Sequence, residues 1–215
     1  MTATVLHGYF RSSAAFRTRI ALNLKGVAYE QQSRHLRKGE QRAADFLKLN
    51  PQGLVPALEI DGAVLTQSLA ILEYLEETRP NPPLLPKDAV GRARVRALAY
   101  ATSMEIHPIN NLRVLQEIAS RFKADEKAVA EWFRHWVVTS FGPIEAMLSS
   151  HTATGEFCHG DTPTMADICL VPQVVNNMRF DVDMTPYPTI QRIYNACLKL
   201  PAFAQAMPAK QPDAE

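Results

Sequence analysis

An α/β domain followed by an all-helical domain is the architecture this sequence predicts, and three observations predict it. Strand and helix signals alternate as far as about residue 78, in the order β-α-β-α-β-β-α. The segment Arg79-Pro-Asn-Pro-Pro-Leu-Leu-Pro86 then places four prolines in eight residues, which neither a helix interior nor a central strand accepts. Beyond about residue 90 the apolar spacing is helical and strand signals are lacking. The expected boundaries are 1–83 for the first domain, 79–89 for a semi-rigid linker and 90–215 for the helical domain.

The first domain is justified element by element. Val5-Leu6-His7-Gly8-Tyr9 is a short apolar-rich strand. Phe16, Ile20, Ala21 and Leu24 recur at helical spacing after Ser12 and Ser13, and Gly26 stops that helix. A weak strand is expected over Tyr29 to His35 and a second helix over Gln41 to Lys48. Ala57-Leu-Glu-Ile60 and Val64-Leu65 flank Asp61-Gly62, a dipeptide that favours a tight antiparallel hairpin. Ser68 opens a third helix through Leu69, Leu72 and Leu75. A strand-helix-strand unit followed by a helix, a hairpin and a helix is the thioredoxin-like arrangement. The second domain is expected to be helical over 90–121, 126–150, 164–180 and 187–199. Thr164-x-x-Asp167 before an apolar run reads as a capping box, which assigns Asp167 to folding.

Composition removes several function classes. Lys and Arg number 23 against 22 Asp and Glu, a net charge of +1, so no whole-protein field attracts nucleic acid or an anionic membrane. No apolar run is long enough to span a bilayer, and the first ten residues lack the pattern of a secretory signal. Three cysteines (Cys158, Cys169 and Cys197) make no disulfide framework and suit a reducing, cytoplasmic setting. The six histidines show no metal-ligand spacing, so no metal site is expected.

Tyr9-Phe-Arg-Ser-Ser-Ala-Ala-Phe-Arg-Thr-Arg-Ile-Ala-Leu22 resembles the signature turn and helix of the zeta-class glutathione S-transferases, the family of maleylacetoacetate and maleylpyruvate isomerases. Asn50-Pro51, Val55-Pro56 and Gln67-Ser-Leu-Ala-Ile-Leu-Glu-Tyr-Leu-Glu-Glu-Thr-Arg-Pro80 extend the likeness, as do Ile106-His-Pro-Ile-Asn-Asn-Leu-Arg-Val-Leu115 and Gly160-Asp-Thr-Pro-Thr-Met-Ala-Asp167. Leu170-Val-Pro-Gln173 and Pro186-Tyr-Pro188 complete it, so the resemblance runs along nearly the whole chain. It implies a glutathione transferase fold, glutathione as cofactor, a homodimer and a maleyl diacid substrate, as in aromatic amino acid catabolism. One departure is plain: the family turn usually reads Ser-Ser-Cys, and here it reads Ser12-Ser13-Ala14. A mechanism resting on a protein cysteine at this position is excluded.

The chemistry needs a thiolate, and a free thiol with a pKa of about 8.5 must be pulled toward neutrality to supply one. A hydroxyl donor and a helix N-terminus both do this, and Ser12 and Ser13 stand where strand gives way to helix. Either serine also suits a plain helix cap. The resemblance makes Ser12 the thiolate partner and leaves Ser13 shared between the two roles. It further implies a cis Val55-Pro56 bond whose preceding backbone pairs with the peptide part of glutathione. Gln67 and Ser68 would take the γ-glutamyl carboxylate at a helix N-terminus, where a serine cap is the structural alternative. Gln41 is the weaker candidate for the glycyl end.

A diacid substrate calls for cations, and the planar fork of arginine binds carboxylates in bidentate fashion. Arg11 beside the thiolate serine, Arg113 in Asn110-Asn-Leu-Arg and Arg179 after Asn176-Asn-Met are the candidates. Arg11 and Arg113 come from different domains, so a cleft between the domains would unite them. His107 and Asn111, four apart, are expected to contact glutathione or substrate, with a polar core or interface role the equal alternative for His107. The expected reaction is thiolate addition to a conjugated double bond, rotation, and elimination to the fumaryl isomer, with maleylacetoacetate preferred over maleylpyruvate. A conjugating transferase or haloacid dehalogenase is the enzymatic alternative, and a non-catalytic glutathione-binding scaffold the other.

Overall fold

The computed structural model describes residues 3–215, which form two compact units. One comprises the chain as far as Leu84 together with Lys199–Glu215, and the other Leu85–Leu198. The last seventeen residues therefore pack with the α/β unit, not with the helical one as the 90–215 boundary expects. Asp213 of this tail accepts from Phe10 N–H, Gln31 Nε2 and Ser33 Oγ, and Arg19 Nε and Asn23 Nδ2 donate to its Ala206 and Ala202 carbonyls.

The α/β unit is a four-stranded sheet in the order β2-β1-β3-β4. Strand β1 (Val5–Gly8) runs parallel to β2 (Glu30–Ser33) and antiparallel to β3 (Ala57–Ile60), which pairs antiparallel with β4 (Ala63–Thr66). Asp61 and Gly62 join β3 to β4 with φ of 51° and 79°, the two positive angles that a two-residue primed turn requires. Helix α1 (Ser13–Leu24) links the parallel pair and ends on Gly26 (φ 64°). There Val27 N–H reaches Leu22 C=O at 2.9 Å and Gly26 N–H reaches Asn23 C=O at 3.2 Å, the paired bonds of a Schellman end.

The expected helix over Gln41 to Lys48 is shorter. Leu36–Lys38 and Glu40–Arg42 are single 3₁₀ turns, and α2 covers only Ala44–Leu49, with Phe46 as its one buried residue. Helix α3 (Ser68–Thr78) follows β4. At its C-terminal end Glu76 Oε2 accepts from Lys25 Nζ at 2.9 Å and from Leu84 N–H at 2.8 Å, which binds the proline-rich segment to α1 and α3.

In the helical unit the expected 90–121 stretch is broken. Helix α4 (Ala89–Tyr100) passes into a π-helical segment, Ala101–Ile106, and α5 (Leu112–Arg121) starts afresh from an Asn111 cap. Pro108 has no N–H to continue the ladder, and a π segment widens the helix just before it. Helices α6 (Glu126–Ser149), α7 (Met165–Arg179) and α8 (Pro188–Leu198) complete the unit, and the short α9 (Pro201–Ala204) belongs to the first. Ten successive residues of α7, Met165 to Val174, are buried, so it is the core helix. Its start is a true capping box: Asp167 accepts from Thr164 N–H and Oγ1 and from Cys158 N–H at 2.7–2.8 Å. Among the described residues no helix is long and apolar enough to cross a membrane.

Candidate active site

The turn Tyr9–Ser12 joins β1 to α1. A Cβ on Gly8 would come within 3.2 Å of Ala15 Cβ, so glycine lets the strand end close on the first turn of the helix. Ser12 is the N-cap, with Oγ accepting from Ala15 N–H at 3.2 Å. The N–H groups of Ser13 and Ala14 have no partner among the described residues, so the positive end of the helix stays open. A serine hydroxyl carries one proton and two lone pairs. Capping takes a lone pair and leaves the proton for a second acceptor in front of the helix, so cap and thiolate donor are compatible roles. Ser13 is buried at the first helical position. Arg11 is half-buried, with its guanidinium 4.8 Å from the Phe10 ring centroid.

Val55-Pro56 is cis, and Val55 packs in one apolar cluster with Tyr9, Phe10, Phe46 and Ala57. The loop before β3 is thereby held against the residues that lead into Ser12. The backbone N–H and C=O of Val55 have no partner among the described residues, which suits pairing with a peptide.

At α3 the cap is Gln67, not Ser68. Gln67 holds φ 65°, a left-handed conformation that non-glycine residues adopt at a cost and that clusters at binding sites. Its side chain does not cap the helix but donates through Nε2 to Gln52 Oε1 at 2.8 Å. Ser68 is buried at the first helical position and its Oγ accepts from Arg17 Nε at 3.0 Å. Since that bond occupies a lone pair, the Ser68 proton is available to an anion at the helix N-terminus. Gln41 stands beside the same loop: its carbonyl is 3.1 Å from where a Gly53 Cβ would be, and its Oε1 is buried without a partner. Such orphaned or half-used polar groups around one sheet end fit a thiol peptide with an anionic γ-glutamyl end.

Arg17 and Gln52 are the participants that sequence reasoning missed. Arg17 lies inside the motif of α1, but apolar spacing assigns it to the polar positions, whereas it is only 3% exposed.

In the helical unit His107 Nε2 and Asn111 Nδ2 are 3.5 Å apart. Asn111 also caps α5 by accepting from Arg113 N–H at 3.2 Å. Arg113 is exposed, and so is Arg179, whose guanidinium is 5.5 Å from the Phe180 centroid. The three cysteines form no disulfide, and all are buried. Burial raises the Cys158 thiol well above its ordinary value, helped by the Asp167 carboxylate, and burial also pushes Cys197 upward. Neither is a nucleophile at neutral pH. Among the described residues no cluster of three or more His, Cys, Asp or Glu is placed to hold a metal ion.

A thioredoxin-like unit continued by an all-helical one is the architecture of a glutathione transferase, and the glutathione S-transferase N-terminal domain family matches residues 2–77. A probable maleylacetoacetate isomerase from Vibrio cholerae is 50% identical, over 100% of both chains. The solved holo structure of a maleylpyruvate isomerase, described as a bacterial zeta-class glutathione S-transferase, superposes with a TM-score of 0.97 at 50% identity, over 98% of this chain and 100% of that one. A maleylacetoacetate isomerase structure from Methylobacterium extorquens, with malonate and glutathione bound, gives 0.95 at 45% identity over 98% and 99%. The chain belongs to the zeta-class glutathione S-transferase family, among the maleylacetoacetate and maleylpyruvate isomerases.

Proposed function

We propose that this chain is a glutathione-dependent isomerase that converts a maleyl diacid, maleylacetoacetate or maleylpyruvate, to its fumaryl isomer. The observation that carries the reading is the Ser12 cap of α1, whose hydroxyl accepts from Ala15 N–H and keeps its own proton beside the open helix N-terminus, in a unit that contains no cysteine. Glutathione, when bound, supplies a thiolate that adds to the double bond conjugated with a carbonyl and leaves after the bond has rotated. Ser12 donates its hydroxyl proton as a hydrogen bond to the sulfur, and the α1 N-terminus adds its partial positive charge. Both favour the ionised thiol. Arg11 supplies a fixed cation next to that site for a substrate carboxylate or for charge that develops on the carbonyl side.

Ser68 and the N-terminus of α3 hold the γ-glutamyl carboxylate, Val55 the peptide backbone and Gln41 the glycyl end. His107 and Asn111 are proposed contacts to cofactor or substrate, and the exposed Arg113 and Arg179 further carboxylate ligands. The family likeness also supports a homodimer, and the exposed apolar Val90, Tyr100 and Met104 on one run of the helical unit favour it. Three buried cysteines that form no disulfide support a cytoplasmic setting.

The test is an initial-rate assay of a maleyl diacid with purified protein, with and without glutathione. Formation of the fumaryl isomer only when both are present is expected. A rate no higher than that with glutathione alone removes the proposal.

A further inference from the structure

Phe10 is the residue before Arg11 and Ser12, and charged side chains hold both of its backbone polar groups. Its carbonyl accepts from Arg19 Nη2 at 3.1 Å, and its N–H donates to Asp213 Oδ2 at 3.0 Å. Neither partner belongs to the β1–α1 connection. Arg19 lies in the second turn of α1, and Asp213 in the C-terminal tail. Hydrogen bonds with an ionised partner are about twice as strong as neutral ones, and here two of opposite sign grip one residue.

The grip is itself anchored. Asp213 also accepts from Ser33 Oγ at 2.7 Å and from Gln31 Nε2 at 2.8 Å, both on β2. Arg19 is fully buried and donates through Nε to Ala206 C=O at 3.0 Å, so it too is fastened to the C-terminal segment. The tail holds its own shape through Gln211, whose Nε2 donates to Gln205 and Met207 carbonyls at 2.9 Å. The Phe10 side chain is locked in the apolar cluster with Tyr9 and Val55. Side chain, N–H and C=O of the residue that leads into the reactive turn are all fixed from outside that turn.

We propose that Asp213 and Arg19 are positioning residues for the Arg11–Ser12 turn, so that the C-terminal segment sets where the Ser12 hydroxyl and the α1 N-terminus face the sulfur of glutathione. The inference rests on the reading of Ser12 as the thiolate's partner. Neither residue touches the thiol peptide. They act through the backbone of Phe10, and small displacements of a reacting geometry carry large rate effects.

Asp213→Ala and Asp213→Asn in the full-length protein test it. Three quantities are read: the thermal transition, the pH titration of the bound glutathione thiol by thiolate ultraviolet absorbance, and kcat and KM with a maleyl diacid. With the protein folded, the bound thiol titrates about one pH unit higher, which is a ten-fold loss of thiolate below it. The same displacement lowers kcat about ten-fold, while KM for glutathione stays within about two-fold, because α3 and the Val55 loop are untouched. Asp213→Glu restores part of the loss. A role confined to folding would lower the thermal transition and leave the thiol titration of the folded protein where it was, and that result overturns the proposal. Should Asp213→Ala fail to fold, Asp213→Asn keeps the shape and one acceptor oxygen and is read by the same criteria. The thiol titration needs no turnover. A wild-type protein without isomerase activity contradicts the proposed function, whereas an active wild type matched by its folded Asp213 variants contradicts this inference alone.

Discussion

Arg17 Nε donates to Ser68 Oγ at 3.0 Å, and both residues are buried. The bond ties α1, which starts at the Ser12 cap, to the first turn of α3. It also occupies a lone pair of the serine hydroxyl and leaves the proton to donate elsewhere. Replacement of Arg17 by methionine keeps much of the apolar stem and removes the donor. KM for glutathione is expected to rise about ten-fold, the scale of one charge-assisted hydrogen bond, with kcat at saturating glutathione changed far less. Steady-state kinetics with glutathione varied at fixed maleyl substrate separates the two. An unchanged KM would show that Ser68 is oriented without Arg17.

Ser12 has two duties that substitution can separate. Ser12→Ala removes both the cap and the hydroxyl donor, which costs about 1 kcal/mol of stability and lowers kcat/KM about a hundred-fold. Aspartate caps a helix as well as serine, yet its negative charge opposes a thiolate at the same place. Ser12→Asp is therefore expected to unfold near the wild-type temperature and to be as inactive as Ser12→Ala. Calorimetry beside the isomerase assay gives both numbers. Activity that follows stability across the pair would reduce Ser12 to a cap.

The native cysteines are expected to take no part. Burial holds the Cys158 and Cys197 thiols protonated at neutral pH. Iodoacetamide should leave the folded protein unmodified by mass spectrometry, and Cys158→Ala should retain its kcat. Rapid alkylation with loss of activity would place the nucleophile in the protein after all.

Asp167 carries a pH dependence of stability whose sign can be stated. Burial raises its carboxyl above the ordinary range, against the N–H groups of Cys158 and Thr164, which pull it down. A group raised on folding contributes stability that is full below its unfolded value, about 4, and is lost as pH climbs through the folded one. The free-energy advantage of wild type over Asp167→Asn, from urea unfolding, should therefore be greatest in acid and shrink toward neutrality. An advantage that grows with pH would mean that the hydrogen bonds of the capping box keep the carboxylate ionised against burial.

The elements that local chemistry dictates were legible in the sequence. Asp61-Gly62 announces its turn because few other residues take two positive φ angles, and Gly26 announces the end of α1 for the same reason. Thr164-x-x-Asp167 forms the capping box its spacing implies. The second helix starts later than the sequence implies because Gly39 (φ 77°) and two 3₁₀ turns occupy the residues before Ala44. The break within 90–121 is invisible to apolar spacing, which does not register a π segment or the fresh cap at Asn111. At the site, serines and glutamines flanking helix starts could be named in advance, since caps and anion sites share residue types. Arg17 and Arg19 could not, because a buried arginine depends on partners far along the chain. Those partners are Ser68 for one and the Ala206 carbonyl for the other.

The central claim is that glutathione acts as a cofactor here, held and ionised at Ser12 and returned unchanged. Its most direct test is stoichiometric. A maleyl diacid in large excess over glutathione is followed by proton magnetic resonance, with free thiol titrated at intervals. The expected result is complete conversion to the fumaryl isomer at constant free thiol. Conversion that halts after one equivalent with the thiol consumed, or that runs equally well without glutathione, would contradict it.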